Sequence, residues 1–477
     1  MKLLLTLTMI SLSFISCSQA VSKDTKHRLK QLESKLGELQ QVLKIPGMSV
    51  AVLKDQQVIW SRGFGYADLE NNIKASSTTP YLIASLTKPV ATTLFLQLLE
   101  QKKVNLDDPL SMYHRDFQTN RVHIRHILTH TAATFAEGMK PGDKYAYNGS
   151  FFGYLASVIE KGCGQPFRDQ LVKGILQRLQ MNNSVPGQNI LSTANLSPAI
   201  YTAEILGQYK MVLDSLAKPY TLYGASENVL SPYPPQFIGS SAGLISTVTD
   251  LAKFDIAIDE HRLLLAATQD LAWTNSLTNS GEQIPYGLGW FVQQVGSRKI
   301  IWHYGQWPTF SGLYLKVPEK NITMILLANS TALSAPFDMG AGDVLNSPFA
   351  IAFLKNFNLE KTVLTEREKM TDSSVQRYLK SRRDRVRKVK IINNDSLTSY
   401  TGQYALDSTH TVTIGKKADL LTIEYSGQPV IDLFPESDIQ FFVKIADTQV
   451  VFIKGENGKV PGLTLITNGK QQKATKK

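Results

Sequence analysis

The sequence predicts an α+β protein built in two parts. Three observations carry this: alternating apolar segments that read as antiparallel strands near residue 50 and again between residues 300 and 330, helical periodicity between them, and a run of short strands after residue 395. At 477 residues with 43% hydrophobic side chains, the chain has enough apolar surface for more than one core. The expected boundaries are a leader over residues 1–20, a main domain over 21–360, a basic helical linker over 361–394 and a small β domain over 395–477.

The opening MKLLLTLTMISLSFISC joins one Lys to an apolar run too short and too rich in Ser and Thr to span a bilayer, and it reads as an export signal. Phe14-Ile15-Ser16-Cys17 resembles a lipobox, in which Cys17 is lipidated and tethers the chain to a membrane without crossing it; Ser18-Gln19-Ala20 offers ordinary cleavage instead. Either way the expected location is a bacterial envelope, the periplasm or a membrane-anchored lipoprotein. Beyond Cys17 only Cys163 remains, so an intramolecular disulfide and a zinc site of clustered cysteines are both excluded. Cys163 reads as a small packed residue.

The formal charge of +11 suggests nucleic acid until it is located. Residues 377 to 390 hold eight Lys or Arg against Asp384, and Lys470, Lys473, Lys476 and Lys477 close the chain; these two clusters account for the whole excess. A basic linker and tail are ordinarily solvated, with attraction to anionic lipid or envelope polymer as the sharper alternative. No nucleic-acid partner is expected.

Residues 26 to 44 read as a polar helix, and IPGMSVAVLKDQQVIWSRGFGYAD as two strands around a turn at Asp55-Gln56-Gln57. Helical pattern follows from Ser85 through VATTLFLQLLEQKK, ends at the turn-forming Asn105-Leu106-Asp107-Asp108-Pro109, and resumes in several helices to about residue 185. Residues 186 to 238 are rich in Pro, Ser and Tyr and read as irregular, cleft-shaping chain. A helix signal returns at residues 249 to 254, then IIWHYG, SGLYLKVP and NITMILLANS alternate as strands. The segments TGQYAL, TVTIGK, LLTIEYS, IQFFVKI, QVVFIKG and GLTLITN complete the chain as a small antiparallel barrel or sandwich.

Ser85-Leu86-Thr87-Lys88 sets a hydroxyl and an amine three residues apart, on one face of a helix. A serine attacks poorly until its proton is removed, and Lys removes it only when its pKa is lowered toward neutrality. Ser215-Leu216-Ala217-Lys218 repeats the pattern, including the following Pro. Context favours the first copy: Ser85 follows the apolar Tyr81-Leu82-Ile83-Ala84 and precedes a long amphipathic helix, whereas Ser215 runs into PYTLYGASE. Pro89 is tolerated only in a first helical turn, which sets Ser85 at the N-terminal end, where free N–H groups favour developing negative charge.

The blocks IPGMSVAVLKDQQVIWSRGFGYADLE, YLIASLTKPVATTLFLQLLEQKKVNLDDPL, HIRHILTHTAA, PGDKYAYNGSFFGYLASVIEKGCGQPF, GSSAGLISTVTDLAKF, YGLGWF and IWHYGQWPTFSGLYLKVP resemble, in order over roughly residues 45 to 330, the β-lactamase-related serine hydrolases, a family of class C β-lactamases, D,D-peptidases and esterases. The resemblance implies the β-lactamase/transpeptidase-like fold, an antiparallel sheet with flanking helices plus an all-helical region. It also implies Ser85 as nucleophile with Lys88, and Tyr147 as the Tyr of the second motif, which exchanges protons with the serine and the leaving group and whose action as a base the Lys88 charge would favour. The Asn of that motif falls at Gly149; Asn148 beside it is the one residue that would compensate. His303-Tyr304-Gly305 matches the third motif, with the imidazole expected to bind a substrate carboxylate or relay a proton through Tyr147, and Gly305 expected to leave room for substrate. The backbone N–H groups of Ser85 and Gln306 would form the oxyanion hole.

His130 falls in a block that is architectural in the family and reads as a satisfied structural His; His123 and His126 read as surface or packing residues. No metal-ligand spacing occurs among the eight histidines, and GFGYAD is too short for a phosphate loop, so neither metal nor cofactor is expected. The carboxy-terminal strands resemble the small lipocalin-like modules appended to such hydrolases, read as packing modules. The expected activity is hydrolysis of an ester, amide or β-lactam carbonyl, in a small molecule or peptide, with esterase or D,D-peptidase action favoured because Gly149 lacks the substrate-orienting amide. The competing class is a binding protein that captures peptidoglycan fragments or β-lactams without turnover.

Overall fold

The computed structural model describes residues 22–115, 117, 121–133, 138–234, 237–357 and 361–477. The leader and Cys17 lie outside the described residues. Among those described, no helix is long and apolar enough to cross a membrane.

The centre of the main domain is a seven-stranded antiparallel sheet made of β1 (Gly47–Lys54), β2 (Gln57–Asp68), β3 (Ile73–Lys74), β4 (Phe291–Val295), β5 (Arg298–Trp307), β6 (Phe310–Val317) and β7 (Ile322–Ala328). Their order is β3-β2-β1-β7-β6-β5-β4, so the two ends of the domain's sequence meet where β1 pairs with β7. The β1–β2 turn uses Asp55 and Gln56 at φ 49° and 58°, the left-handed pair that matches strand twist in a tight hairpin.

Alternation decides what each face buries. Met48, Val50, Val52, Trp302, Leu313 and Leu326 pack behind the sheet against α1 (Lys23–Val42), which presents Leu29, Leu32, Leu36 and Leu39. Ala51, Leu53, Ile301, Tyr314, Ile325 and Leu327 face the other way, onto α2 (Thr87–Glu100) and the helical region. Here Lys316 of β6 reaches Asp259 at 2.8 and 2.7 Å and Asp255 at 3.0 Å, tying the helix Val248–Asp259 to the sheet.

The segment at residues 186 to 238 corrects one expectation. It holds a full helix, Ala203–Asp214, capped by the Thr202 hydroxyl, and a hairpin of Tyr220–Tyr223 with Glu227–Leu230. Beyond the helix Lys361–Arg383, eight strands close a barrel, two more than the sequence suggested: Ile431–Pro435 and Lys470–Lys476 join the six expected. Its interior is filled by Tyr400, Tyr404, Leu421, Phe441 and Phe452, the packing of a small barrel core.

Candidate active site

Ser85 sits in a short 3₁₀ turn, Ala84–Leu86, that runs directly into α2, so Pro89 lies in the first helical turn as its chemistry demands. Ala84 takes φ 49°, a left-handed conformation that costs an alanine roughly 1–2 kcal/mol and is held here by complete burial and by the Thr87 hydroxyl donating to its carbonyl at 2.7 Å. Lys88 Nζ donates to Ser85 Oγ at 2.8 Å and to the Ser241 carbonyl at 3.0 Å. Lys88 is 1% exposed, and that burial lowers its pKa from the ordinary lysine value to about 7. The second copy of the pattern has none of this: Ser215 is exposed, ends a helix and donates to the Val212 carbonyl.

Tyr147 lies over Lys88, with Nζ 5.2 Å from the ring centre. Its hydroxyl is buried and makes no hydrogen bond of normal geometry, although Ser85 is the one neighbour that favours its ionised form. Burial and then Tyr304 hold its pKa well above the ordinary tyrosine value, so Tyr147 carries its proton. Gly149 starts the helix Gly149–Gly153, and a Cβ there would stand 3.8 Å from Lys88 Nζ, so the second motif's amide position faces the lysine and is blank. Asn148 does not fill it in the expected way, because its Oδ1 caps that helix, accepting from the N–H groups of Ser150 at 3.0 Å and Phe151 at 3.1 Å.

His303 is fully buried, and burial followed by the Lys88 charge keeps it neutral. Its Nδ1 donates to the Tyr304 carbonyl at 2.7 Å, so Nε2 accepts from the Tyr286 hydroxyl at 2.9 Å. Tyr147 is 6.1 Å away, ring centre to ring centre. Both ring nitrogens are thus engaged within the protein, and His303 braces Tyr286. Gly305 is also reassigned. A Cβ on it would come within 2.4 Å of the Ile83 carbonyl oxygen, so its bareness lets β5 touch the turn that carries Ser85. Gly312, directly across the strand pair, similarly leaves room for Leu86. The Gly305 carbonyl accepts from Ser334 Oγ at 3.1 Å, and because the peptide is planar this also fixes the direction of the Gln306 N–H. Gln306 itself is exposed at the strand's end.

Sequence reasoning missed four contributors. Ser241 and Ser334 act through or upon backbone carbonyls, which leave no side-chain signal; Tyr286 lay in the YGLGWF block. His130 was read as satisfied, but only Nδ1 is, accepting from the Asn148 N–H at 3.1 Å; the buried Nε2 has no partner among the described residues. Burial, Lys88 and His303 hold it neutral, and its ring lies 4.3 Å from that of Tyr147, bracing the second motif from beneath. His126 supports its own short helix, Nδ1 accepting from the His123 N–H at 3.0 Å.

Comparison with known proteins decides the family. The Beta-lactamase family model matches residues 32–345. The chain belongs to the Beta-lactamase family. A second model, the Domain of unknown function (DUF3471), matches residues 386–476, the barrel and the chain leading into it. Penicillin-binding protein 4* of Bacillus subtilis (strain 168) is 23% identical over 488 aligned positions, covering 96% of this chain and 100% of that protein. Protein flp of Staphylococcus aureus (strain MW2) is 24% identical over 61% of each chain. Among solved structures, an octameric penicillin-binding protein homologue from Pyrococcus abyssi shares the fold with TM-score 0.58 and 20% identity, over 94% of this chain and 100% of its own. The structure of SurE follows at 0.52 and 16% identity, over 95% and 100%. Ser85, half-buried, and the buried Lys88 both lie within the residues that the family model matches.

Proposed function

We propose that this protein is an envelope serine hydrolase that forms an acyl-enzyme on Ser85. The observation that carries the reading is the buried Lys88 amine at 2.8 Å from Ser85 Oγ with a pKa near 7, a base poised at working pH and aimed at the nucleophile. Neutral Lys88 takes the Ser85 proton as Oγ attacks the carbonyl carbon. The oxygen turns toward the N–H groups of Ser85 and Gln306. Protonated Tyr147 donates to the leaving group and is refilled from the Lys88 ammonium; water then resolves the ester by the reverse path. The test is hydrolysis of an activated ester together with intact mass after a fluorophosphonate probe. Wild type should gain one adduct and Ser85→Ala none, with turnover lost; turnover surviving in Ser85→Ala, or no adduct with any acylating probe beside saturable ligand binding, would sink the proposal in favour of a binding protein.

Because the active form is neutral Lys88, acylation should rise with pH and level off above an apparent pKa of about 7, falling about tenfold per unit below it. A pH profile of kcat/KM that is flat between pH 5 and 8 would refute this role for Lys88.

The substrate reading favours an extended acyl group in an ester or D-amino-acid peptide over efficient β-lactam turnover. Strand β4 pairs with β5 only as far as Trp302, so the exposed Gln306 and Trp307 at the end of β5 have a strand on one side only, a short edge that an extended chain can join. Gly149 meanwhile withholds the amide beside Lys88. A Cβ at Gly149 meets only Lys88 Nζ, at an ordinary 3.8 Å, and Gly149→Asn should raise nitrocefin hydrolysis by about tenfold or more, worth one added polar contact in the transition state, while ester hydrolysis changes less than about threefold. An unchanged nitrocefin rate in the folded variant would show that the missing amide does not limit β-lactam turnover.

A further inference from the structure

A second cavity, of about 510 Å³, opens where the hairpin Tyr220–Tyr223, the end of the helix Lys361–Arg383 and the barrel meet. Its size suits a small organic ligand. One wall is apolar, with Leu222, Phe442, Val443 and Ile445, and Tyr223 stacks on Phe442 at 6.1 Å. Arg382, Arg385, Arg387, Lys388 and Lys444 also line the cavity, against three acids, Asp384, Glu436 and Asp447.

Two of these cations are part of the joint itself. Arg387 Nη1 holds both Glu436 oxygens at 3.1 and 3.0 Å, and Lys444 pairs with Glu227 at 2.7 Å while its Nζ lies 4.6 Å from the Phe434 ring centre. The other three, Arg382, Arg385 and Lys388, have no carboxylate partner among the described residues. Arg382 ends a helix, where a cation offsets the dipole, and stacks on Tyr378. Arg385 and Lys388 lie beyond the helix end, so that explanation does not reach them. Cations without carboxylate partners lining one open, half-apolar cavity offer contacts to an anion, and guanidinium forks match carboxylate or phosphate oxygens in pairs.

We propose that this interdomain cavity is an anion-binding site, separate from Ser85, for a sugar-sized organic body carrying a carboxylate or phosphate group. It gives the basic linker a structural task beyond solvation, and it does not depend on the reaction at Ser85. Calorimetric titration of the full chain at low salt, using N-acetylmuramic acid, glucose 1-phosphate, inorganic phosphate and neutral N-acetylglucosamine as probes, tests it. At least one acidic sugar should bind saturably, more tightly than inorganic phosphate, with the neutral sugar silent; which acidic sugar binds identifies the oxyanion. Arg385→Gln with Lys388→Gln should weaken binding about tenfold or more, while Lys470→Gln with Lys473→Gln, the same charge change on the last barrel strand, changes it less than about twofold. Both substituted pairs are exposed, and an unchanged melting temperature shows that the joint is intact. No saturable binding by the wild type, equal loss in both variants, or binding to anionic vesicles alone would overturn the proposal.

Discussion

Lys88→Met is expected to lower ester hydrolysis by about 10³- to 10⁴-fold, the contribution of a positioned base, and yet to raise thermal stability. The two effects have one cause. Burial lowers the Lys88 pKa from its ordinary lysine value to about 7, so at neutral pH folding requires the amine to shed much of the protonation that it keeps in the unfolded chain. A lysine whose folded pKa is depressed destabilises the fold most below the folded value, and the penalty fades as pH rises toward the unfolded one. Methionine fills a similar volume without that penalty; after discounting the lost bonds to Ser85 and the Ser241 carbonyl, a gain of about 2 kcal/mol follows, a few degrees in melting temperature. The gain should shrink above pH 9, where the wild-type amine is neutral with less strain. Calorimetric melting of both proteins at pH 7 and pH 9.5, beside ester kinetics, checks the pair. A variant both inactive and less stable at pH 7 would mean that Lys88 is held for structure, not poised as a base.

Much of the fold was legible because it is written in local pattern. The strands of the main sheet alternate between two cores, and Pro89 alone places Ser85 at a helix start. What escaped was structure whose reason is distant. The barrel strand Lys470–Lys476 turns only Ala474 firmly inward and otherwise reads as polar tail, so closure against Gly402–Ala405 and Gly462–Thr467 makes it a strand. Ile431–Pro435 carries an Asp and a Pro, which mask it likewise. The helix Ala203–Asp214 was hidden by Gly207 and by its irregular flanks. At the site, spacing and resemblance pointed to the motif residues, but their surroundings depend on burial. Tyr147 keeps its proton and His303 turns to Tyr286 because both sit in a buried aromatic cluster that a linear sequence does not display.

Gly305→Ala is expected to cost more activity than its one methyl group suggests. The added carbon would stand 2.4 Å from the Ile83 carbonyl oxygen, and neither side yields easily: Ile83 leads into the Ser85 turn, while Gly305 lies mid-strand with its own carbonyl held by Ser334. Relief requires β5 and the turn to part by about 1 Å, a displacement that costs roughly 10²-fold in a positioned site. The Gln306 N–H moves with the strand, and loss of one oxyanion donor is itself worth about 10²- to 10³-fold, so kcat for an activated ester should fall by at least 10²-fold. Overpacking should lower stability by about 1–3 kcal/mol, leaving the protein folded. Gly207→Ala is the control: its Cβ meets nothing within 4 Å, on an ordinary helix, so it should leave kinetics unchanged and stability equal or slightly higher. Acylation by a fluorophosphonate should slow in Gly305→Ala in step with ester turnover, because both need the Ser85 turn and the Gln306 N–H in register. If the variant melts lower but acylates at the wild-type rate, the contact between β5 and the Ser85 turn supports the fold without aligning the oxyanion donor.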